Sequence, residues 1–546
     1  MGEVTPEPTA GSFEAPHPGS PEMPRWNTGE LIKAPVFTSR NWFALLGPGL
    51  IMGGSAIGGG EWLMGPKVTA VYGGALLWLA TLSVLGQVIY NIEISRYTLY
   101  TGEPIFTGKF RTMPGPRFWI VAYLLLDFGS VFPYLAANAA TPVATLLKGG
   151  VIPDPVNVTG DFWLMKGLAY AIFIGALIPL LFGGKIYRSL KAVMTFKLVV
   201  VFGFLLFLAL MYSKWDTWVE ITTGFFKIGT VPIKPAADAT EVIRGENVQN
   251  IFTSLLGGQG FPDIDFTMIA FIAALAAIAG SGGLSNTPVS NYTRDQGWGM
   301  GHHVGAIPSA IGGHDIELSH VGTVFEVNDE SLPRWRAWYK HVTRDQLAVW
   351  LPTCFIGLAL PAMLSIQFLQ PADTQVDNDW TMAVMTAEGV QDTVTAQSGV
   401  GIGQFCWFMT IFCGFLVLAP TMSASADGII RRWVDVFWTS SAKLRQMDPR
   451  QIKKVYLRVL LGYSVFGIIM LSLDPGSLIT YATMFFNIAL GVSCWHTLRI
   501  NTTLLPPALR PHFLIRLALV FAGLFYFSLG TMSVLQTTGL LEKITG

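Results

Sequence analysis

Glu61 is the first residue that invites a chemical reading. It closes the run Gly53-Gly54-Ser55-Ala56-Ile57-Gly58-Gly59-Gly60 inside a stretch that is otherwise apolar. A carboxylate at membrane depth costs a few kcal/mol, so an intramembrane acid is a functional candidate by default. A second interrupted stretch, Ala279-Gly280-Ser281-Gly282-Gly283-Leu284-Ser285-Asn286-Thr287-Pro288, offers hydroxyls and an amide. Glycine runs hold no stable helix, and bare backbone at that depth is tolerated only where it lines a cavity or is buried in protein. Glycines at spacing four would suit close helix packing. Three consecutive glycines followed by a charge point instead to a broken helix. Two such breaks in corresponding halves of a chain mark an inverted-repeat carrier with its site between them. The candidate substrate-binding set is therefore Gly58, Gly60, Glu61, Gly280, Ser281, Asn286 and Thr287. Lys67, the nearest cation along the chain, lies six residues from Glu61. That is beyond the i, i+4 reach of a helical pair.

Asp127 stands alone in the third apolar span, and a buried aspartate calls for a cation. Arg458, at the start of the ninth span, is the expected partner. Asp427, ahead of Arg431-Arg432, reads as a boundary or capping residue at a helix end. His302, His303, His314 and His320, with Asp315 and Glu317, lack a fixed metal-ligand spacing and read as a solvated loop. Gly297-Trp298-Gly299-Met300-Gly301 is no phosphate loop, because no Lys-Ser/Thr follows. Cys354, Cys406, Cys413 and Cys494 all lie in apolar stretches without metal spacing, which reads as lipid-facing or packed thiols and not as a disulfide frame. No Ser-His-Asp arrangement or nucleotide motif supports an enzyme.

The elements that must position these residues are membrane helices. Of 546 residues 51% are hydrophobic and 13% charged, with mean hydropathy +0.48. A soluble chain carries about 25% charge, so this one cannot coat its own surface. Its 35 basic and 35 acidic residues balance, which gives no electrostatic case for nucleic acid. A helix needs about 20 apolar residues to span a bilayer. Charge-poor windows begin near 41, 68, 118, 167, 198, 266, 346, 393, 459, 475 and 517, which makes eleven spans. Lys and Arg concentrate in the connections 93–117, 183–197, 294–345, 427–458 and 499–516, while 373–392 has none. The positive-inside rule then puts the N-terminus in the cytoplasm and the C-terminus outside. Residues 1–40 hold seven prolines and no long apolar run, which reads as a disordered cytoplasmic tail. The transporter domain is expected over 41–541, with an outside loop at 214–265 and a cytoplasmic insertion at 294–345.

Gly58-Gly59-Gly60-Glu61-Trp62, with Tyr72-Gly73 ten residues after the tryptophan, resembles the first helix of the Nramp family of divalent metal ion transporters. That family carries Asp-Pro-Gly-Asn there, then an aromatic and later a Tyr-Gly. Thr101-Gly102-Glu103 and Lys185-Ile186-Tyr187-Arg188 match further stretches, and the likeness covers roughly residues 40–535. The resemblance implies an all-α, LeuT-like fold: spans one to five and six to ten as inverted repeats, span eleven added, helices one and six broken. It implies a secondary transporter of the plasma membrane with alternating access at the breaks, a divalent metal ion or proton serving as substrate or coupling ion in symport, and no other cofactor.

Residue by residue, the family's metal-binding Asp falls on Gly58, its Asn on Glu61, its Met on Gly280 and a neighbouring His on Gly282. The soft thioether is thus missing from its place, and Glu61 is the possible metal ligand in an oxygen-rich set suited to a hard ion or a hydrogen-bonding solute. Asp127 takes the place of an acid on the family's proton route, and the family's second acid is Ser130 here. A proton relay and a structural ion pair with Arg458 are both open on these residues. A LeuT-like carrier of an amino acid or other small polar solute is the alternative, and a non-transporting membrane ligand sensor is a third. The expected partners are a small ion or small polar solute and the lipid bilayer, with no nucleic acid; the residues name no protein partner.

Overall fold

Proline lacks only an N–H that the first turn of a helix would leave unpaired anyway, and Pro48 opens α1 (Pro48–Ala56) in this way. The helix ends at Ile57, whose ψ of 93° takes the chain out of helical geometry. After Gly58 and Gly59 it restarts through a π-helical turn, Gly60–Met64, and continues as α2 (Gly65–Tyr72). Single π-turns of this kind recur at functional sites. The computed structural model describes residues 13–17, 19–38, 46–181, 186–234, 243–266, 269–307, 316–369 and 384–545.

From α2 the chain runs through α3 (Leu77–Thr101), the short α4 (Ile105–Arg111) and α5 (Pro116–Leu126). At Asp127 it bends by 56° into a 3-10 turn and α6 (Tyr134–Leu147). There follow α7 (Thr159–Leu181), α8 (Ile186–Tyr212), α9 (Trp215–Gly224) and α10 (Ile251–Leu256). The second break divides α11 (Ile269–Ile278) from α12 (Pro288–Asp295), with a 3-10 turn, Gly283–Asn286, between them. The insertion contributes α13 (Gly301–Val304) and α14 (Ser331–Asp345), and α14 continues through a π-turn into α15 (Leu351–Phe368). The last third holds α16 (Thr386–Ser398), the 41-residue α17 (Val400–Ser440), α18 (Ile452–Met470), α19 (Pro475–Thr503) and α20 (Phe513–Thr537).

This is an all-α, multi-pass membrane protein. Its polarity is inverted relative to a soluble globule: Arg111, Arg294, Arg431 and Arg432 are fully buried, whereas Leu125 and Phe513 are each more than 60% exposed. Among the described residues six stretches are long and apolar enough to cross a membrane, seven if α5 and α6 form one bent span. Eleven windows were expected from sequence. Part of the difference has a physical source, since one continuous stretch, Pro48–Thr101, takes in the first two windows and the sixth is cut into two short halves; α18 and α19, at the ninth and tenth windows, are not among the six.

Several connections are shorter than their charges suggested. Lys197 lies inside α8 and not in a loop, and Arg431 and Arg432 lie inside α17. Charge marks a loop only when it is solvated, and these groups are buried.

The proline-rich N-terminal stretch also departs from expectation in its described part. Trp26 is 3% exposed and donates its indole N–H to Glu103 at 3.2 Å. Arg111 donates to the Pro24 carbonyl at 2.7 Å, and Trp338 to that of Ile32 at 2.8 Å. The strand β1 (Asn27–Thr28) lies parallel to a strand within the insertion, Thr323–Val324. Residues 1–12 of the expected tail lie outside the described residues.

Candidate functional site

The two breaks meet at one carboxylate. Glu61, only 2% exposed, accepts the Gly58 N–H at 2.9 Å on Oε2 and the Gly280 N–H at 3.2 Å on Oε1. The first bond follows from spacing, because a glutamate in the opening turn of a helix reaches back to the orphan amide three residues earlier. The second joins the breaks across 219 residues of sequence.

Gln87 on α3 holds the second break open. Its Oε1 accepts the Ser281 N–H and the Asn286 amide, each at 2.9 Å, and its Nε2 donates to the Ala279 carbonyl at 2.6 Å. One amide thus replaces helical hydrogen bonds that the glycine run gives up. Gly280 has φ +96°, and a Cβ there would lie 2.7 Å from Gln87 Oε1. Gly280→Ala combines left-handed strain with a displaced Gln87. We expect it to cost about 1–3 kcal/mol, read as an earlier thermal unfolding of the detergent-solubilised protein.

A cavity of about 40 Å³ lies between the breaks, lined among others by Ser55, Gly58, Gly60, Glu61, Gly280, Ser281 and Ser285. That is room for roughly three waters or a small ion. Tyr134, Thr421, Met422 and Phe486 also line it, so a methionine borders the site although the family's methionine position is Gly280. Ser130 lines it too, nine-tenths buried and with no hydrogen-bond partner for its hydroxyl. Asn286 and Thr287 do not line it. Asn286 is turned to Gln87, and the Thr287 hydroxyl donates to the Leu284 carbonyl at 2.7 Å.

Lys197 escaped the sequence reading. It projects from α8 with no exposure at all. Its ammonium donates to the Ile57 carbonyl, to the Val417 carbonyl at 3.1 Å and to the Thr421 hydroxyl at 2.5 Å. The only signal in sequence was its position at the edge of an apolar run.

Between the site and the insertion lies a web of buried ion pairs. Asp127 does have a cation, but it is Arg432 and not Arg458. The Arg432 Nε donates to Asp127 Oδ2 at 2.7 Å, its Nη2 donates to Oδ1, and the Trp433 indole adds a bond at 2.8 Å. Arg458 is exposed. Arg432 also donates to the Leu284 carbonyl at 3.1 Å, which ties the pair to the turn at the second break. Asp427 is no helix cap. It sits in the interior of α17, fully buried, accepting from Arg431 at 2.6 Å, Tyr292 at 2.9 Å and Tyr456 at 3.2 Å. Arg431 reaches on to Asp295, and Arg294 pairs with Asp435 at 2.5 Å.

Of the histidine cluster, His314 and Asp315 lie outside the described residues. His320 stacks on Trp438 and hydrogen-bonds to backbone carbonyls, a packing role. Among the described residues no three His, Cys, Asp or Glu side chains are placed to hold a metal ion.

No protein-family model matches the chain, and no curated protein matches it in sequence. Solved structures do match. A histidine-to-alanine mutant of the Eremococcus coleocola manganese transporter superposes with a TM-score of 0.60 at 12% identity, covering 93% of this chain and 89% of that one. The same transporter bound to an aromatic bis-isothiourea substituted compound gives 0.57 at 11% identity, covering 94% and 93%. The chain has the fold of an Nramp-type transporter. Within that fold a glutamate of this chain bridges the breaks and a lysine rests on the carbonyl end of α1.

Proposed function

We propose that the protein is a secondary carrier that moves a small ion across a cell membrane by alternating access at the two breaks. The observation that carries this reading is Glu61, whose one carboxylate spans both breaks beside a small hydroxyl-lined cavity. A group bound to both half-helices senses any movement of one against the other. The likeness to a manganese transporter supports an ionic cargo. The donors here, Glu61 with serine hydroxyls against a single methionine, favour a hard ion over a soft one. An N-terminus in the cytoplasm is supported by Lys443, Arg445 and Arg450, which remain in the connection after α17 once the buried arginines are set aside.

The test is uptake into proteoliposomes, with Mg²⁺, Ca²⁺, Mn²⁺, Cd²⁺ and a panel of amino acids measured side by side. The expected result is saturable uptake of a hard ion, with Cd²⁺ no better than Mg²⁺. Uptake of amino acids alone would overturn the ionic cargo and keep the carrier. Saturable binding with no uptake of anything would make the protein a sensor.

A further inference from the structure

Arg336, Lys340 and Arg344 recur every four residues along α14, a spacing that sets them on one face of the helix. Arg336 and Lys340 are exposed and Arg344 is half-buried. Among the described residues neither Arg336 nor Lys340 is paired with an acid. Asp345, the sole acid within α14, is buried and turned to the start of α1, where it accepts the Gly47 N–H at 2.9 Å and the Gly49 N–H at 2.7 Å. Charge gives way to apolar surface within a turn of Arg344. Leu347, which is 45% exposed, and Ala348 follow it on the outer face as α14 runs through its π-turn toward α15. A basic stripe that ends where an apolar, exposed face begins marks the level of phospholipid headgroups.

Beside Arg344 lies a cavity of about 130 Å³, walled among others by Phe37, Leu46 and Ala348. His341 lines it, 4% exposed and with no hydrogen-bond partner for either ring nitrogen. A buried polar group left unmet is unfavourable, and each such group calls for an explanation. The Arg344 guanidinium borders the same cavity and rests on the Phe37 ring at 4.2 Å. Asp345 borders it too, but its oxygens are held by Gly47, by Gly49 and by the Gln346 amide at 3.1 Å. We propose that this is a binding site for the phosphate headgroup of an anionic phospholipid. The stripe supplies positive charge in a row, the Arg344 fork suits a phosphate, and the His341 imidazole donates to a headgroup oxygen. Because the next residue, Asp345, holds the start of α1, a bound lipid steadies the contact between α14 and α1. The site does not rest on the carrier reading.

The experiment follows thermal unfolding of the purified full-length protein in a neutral detergent, with phosphatidylcholine, phosphatidylglycerol or inorganic phosphate added at equal ionic strength. Phosphatidylglycerol should raise the melting temperature of the wild type by several degrees, saturably, as expected for a ligand of the folded state. The other two additives should not. The triple variant Arg336→Gln, Lys340→Gln, Arg344→Gln should lose the shift while melting like the wild type in phosphatidylcholine. His341→Leu keeps the stripe and should need more phosphatidylglycerol for the same shift. A control, Lys443→Gln, Lys453→Gln, Lys454→Gln, removes as much charge around the start of α18 and should respond as the wild type does.

A wild type indifferent to phosphatidylglycerol would overturn the proposal. So would an undiminished shift in the triple variant or in His341→Leu. Equal loss in the control would make the response one of bulk charge, and an equal shift with inorganic phosphate would make the site one for a free anion; either result overturns the lipid site. Should the triple variant fail to fold, Arg336→Gln with Lys340→Gln, both at exposed positions, reads the same loss in part. None of these results depends on uptake, so a failure of the carrier reading leaves them readable.

Discussion

Arg432→Gln destabilises the protein by about 3–5 kcal/mol, and Arg458→Gln leaves stability unchanged. Removing one partner of a buried ion pair leaves the other charge uncompensated, and costs of this size are typical. Asp127 is 2% exposed and would keep only the Trp433 indole as a donor. The Leu284 carbonyl at the second break would lose its guanidinium contact at the same time. Arg458 is exposed and makes no such bond, and isolated exposed charges usually contribute little. Thermal unfolding of the two variants in one detergent decides the matter. Equal losses would mean that the web is not organised as described, and no loss in either would make the Asp127 pair dispensable.

Glu61→Gln lowers uptake by roughly 10- to 100-fold while the helices stay folded. The carboxylate accepts from two N–H groups, one at each break. An amide of the same size keeps one acceptor and turns an NH₂ toward the other donor, so one bond is lost. Hydrogen bonds to charged groups contribute about 1.5–3 kcal/mol, and each 1.4 kcal/mol is a factor of ten. The loss falls on the link between the half-helices, not on the core packing of either. Uptake and melting temperature should therefore separate, with the first falling far more than the second. A variant that transports normally would show that the bridge between the breaks is incidental. One that fails to fold would make Glu61 a structural acid.

Glu61 and the glycine runs were legible in the sequence because they contrast with everything around them. An apolar stretch makes a single charge conspicuous, and three glycines in a row leave no helical alternative. The inverted-repeat carrier fold followed from those breaks and from the Tyr72-Gly73 and Lys185-Ile186-Tyr187-Arg188 matches. The partners of the site were not legible. Gln87, Lys197 and Arg432 meet their acceptors across separations such as 140 and 305 residues, and no local spacing records such a pairing. Arg431 and Arg432 were read as loop charges for the same reason. The rule that places basic residues in solvated connections cannot see an acid that arrives from another helix. Asn286 and Thr287 failed differently: their donors are spent on Gln87 and Leu284, so membership of the broken segment did not carry them to the cavity.

The pairing of Asn27 with Thr323 and of Thr28 with Val324 sets an order on biosynthesis. During translation residues 19–32 leave the ribosome early, yet their partners in the insertion follow only after six of the expected helices have been made. Until then the Leu31 and Ile32 carbonyls lack their donors Arg334 and Trp338, although Glu103 and Arg111 are already in place for Trp26 and Pro24. Contacts this distant in sequence close slowly and late. The docking of this stretch is therefore a late step of assembly: until the first six spans and the insertion have been made, Asn27 and Thr28 have no strand to pair with.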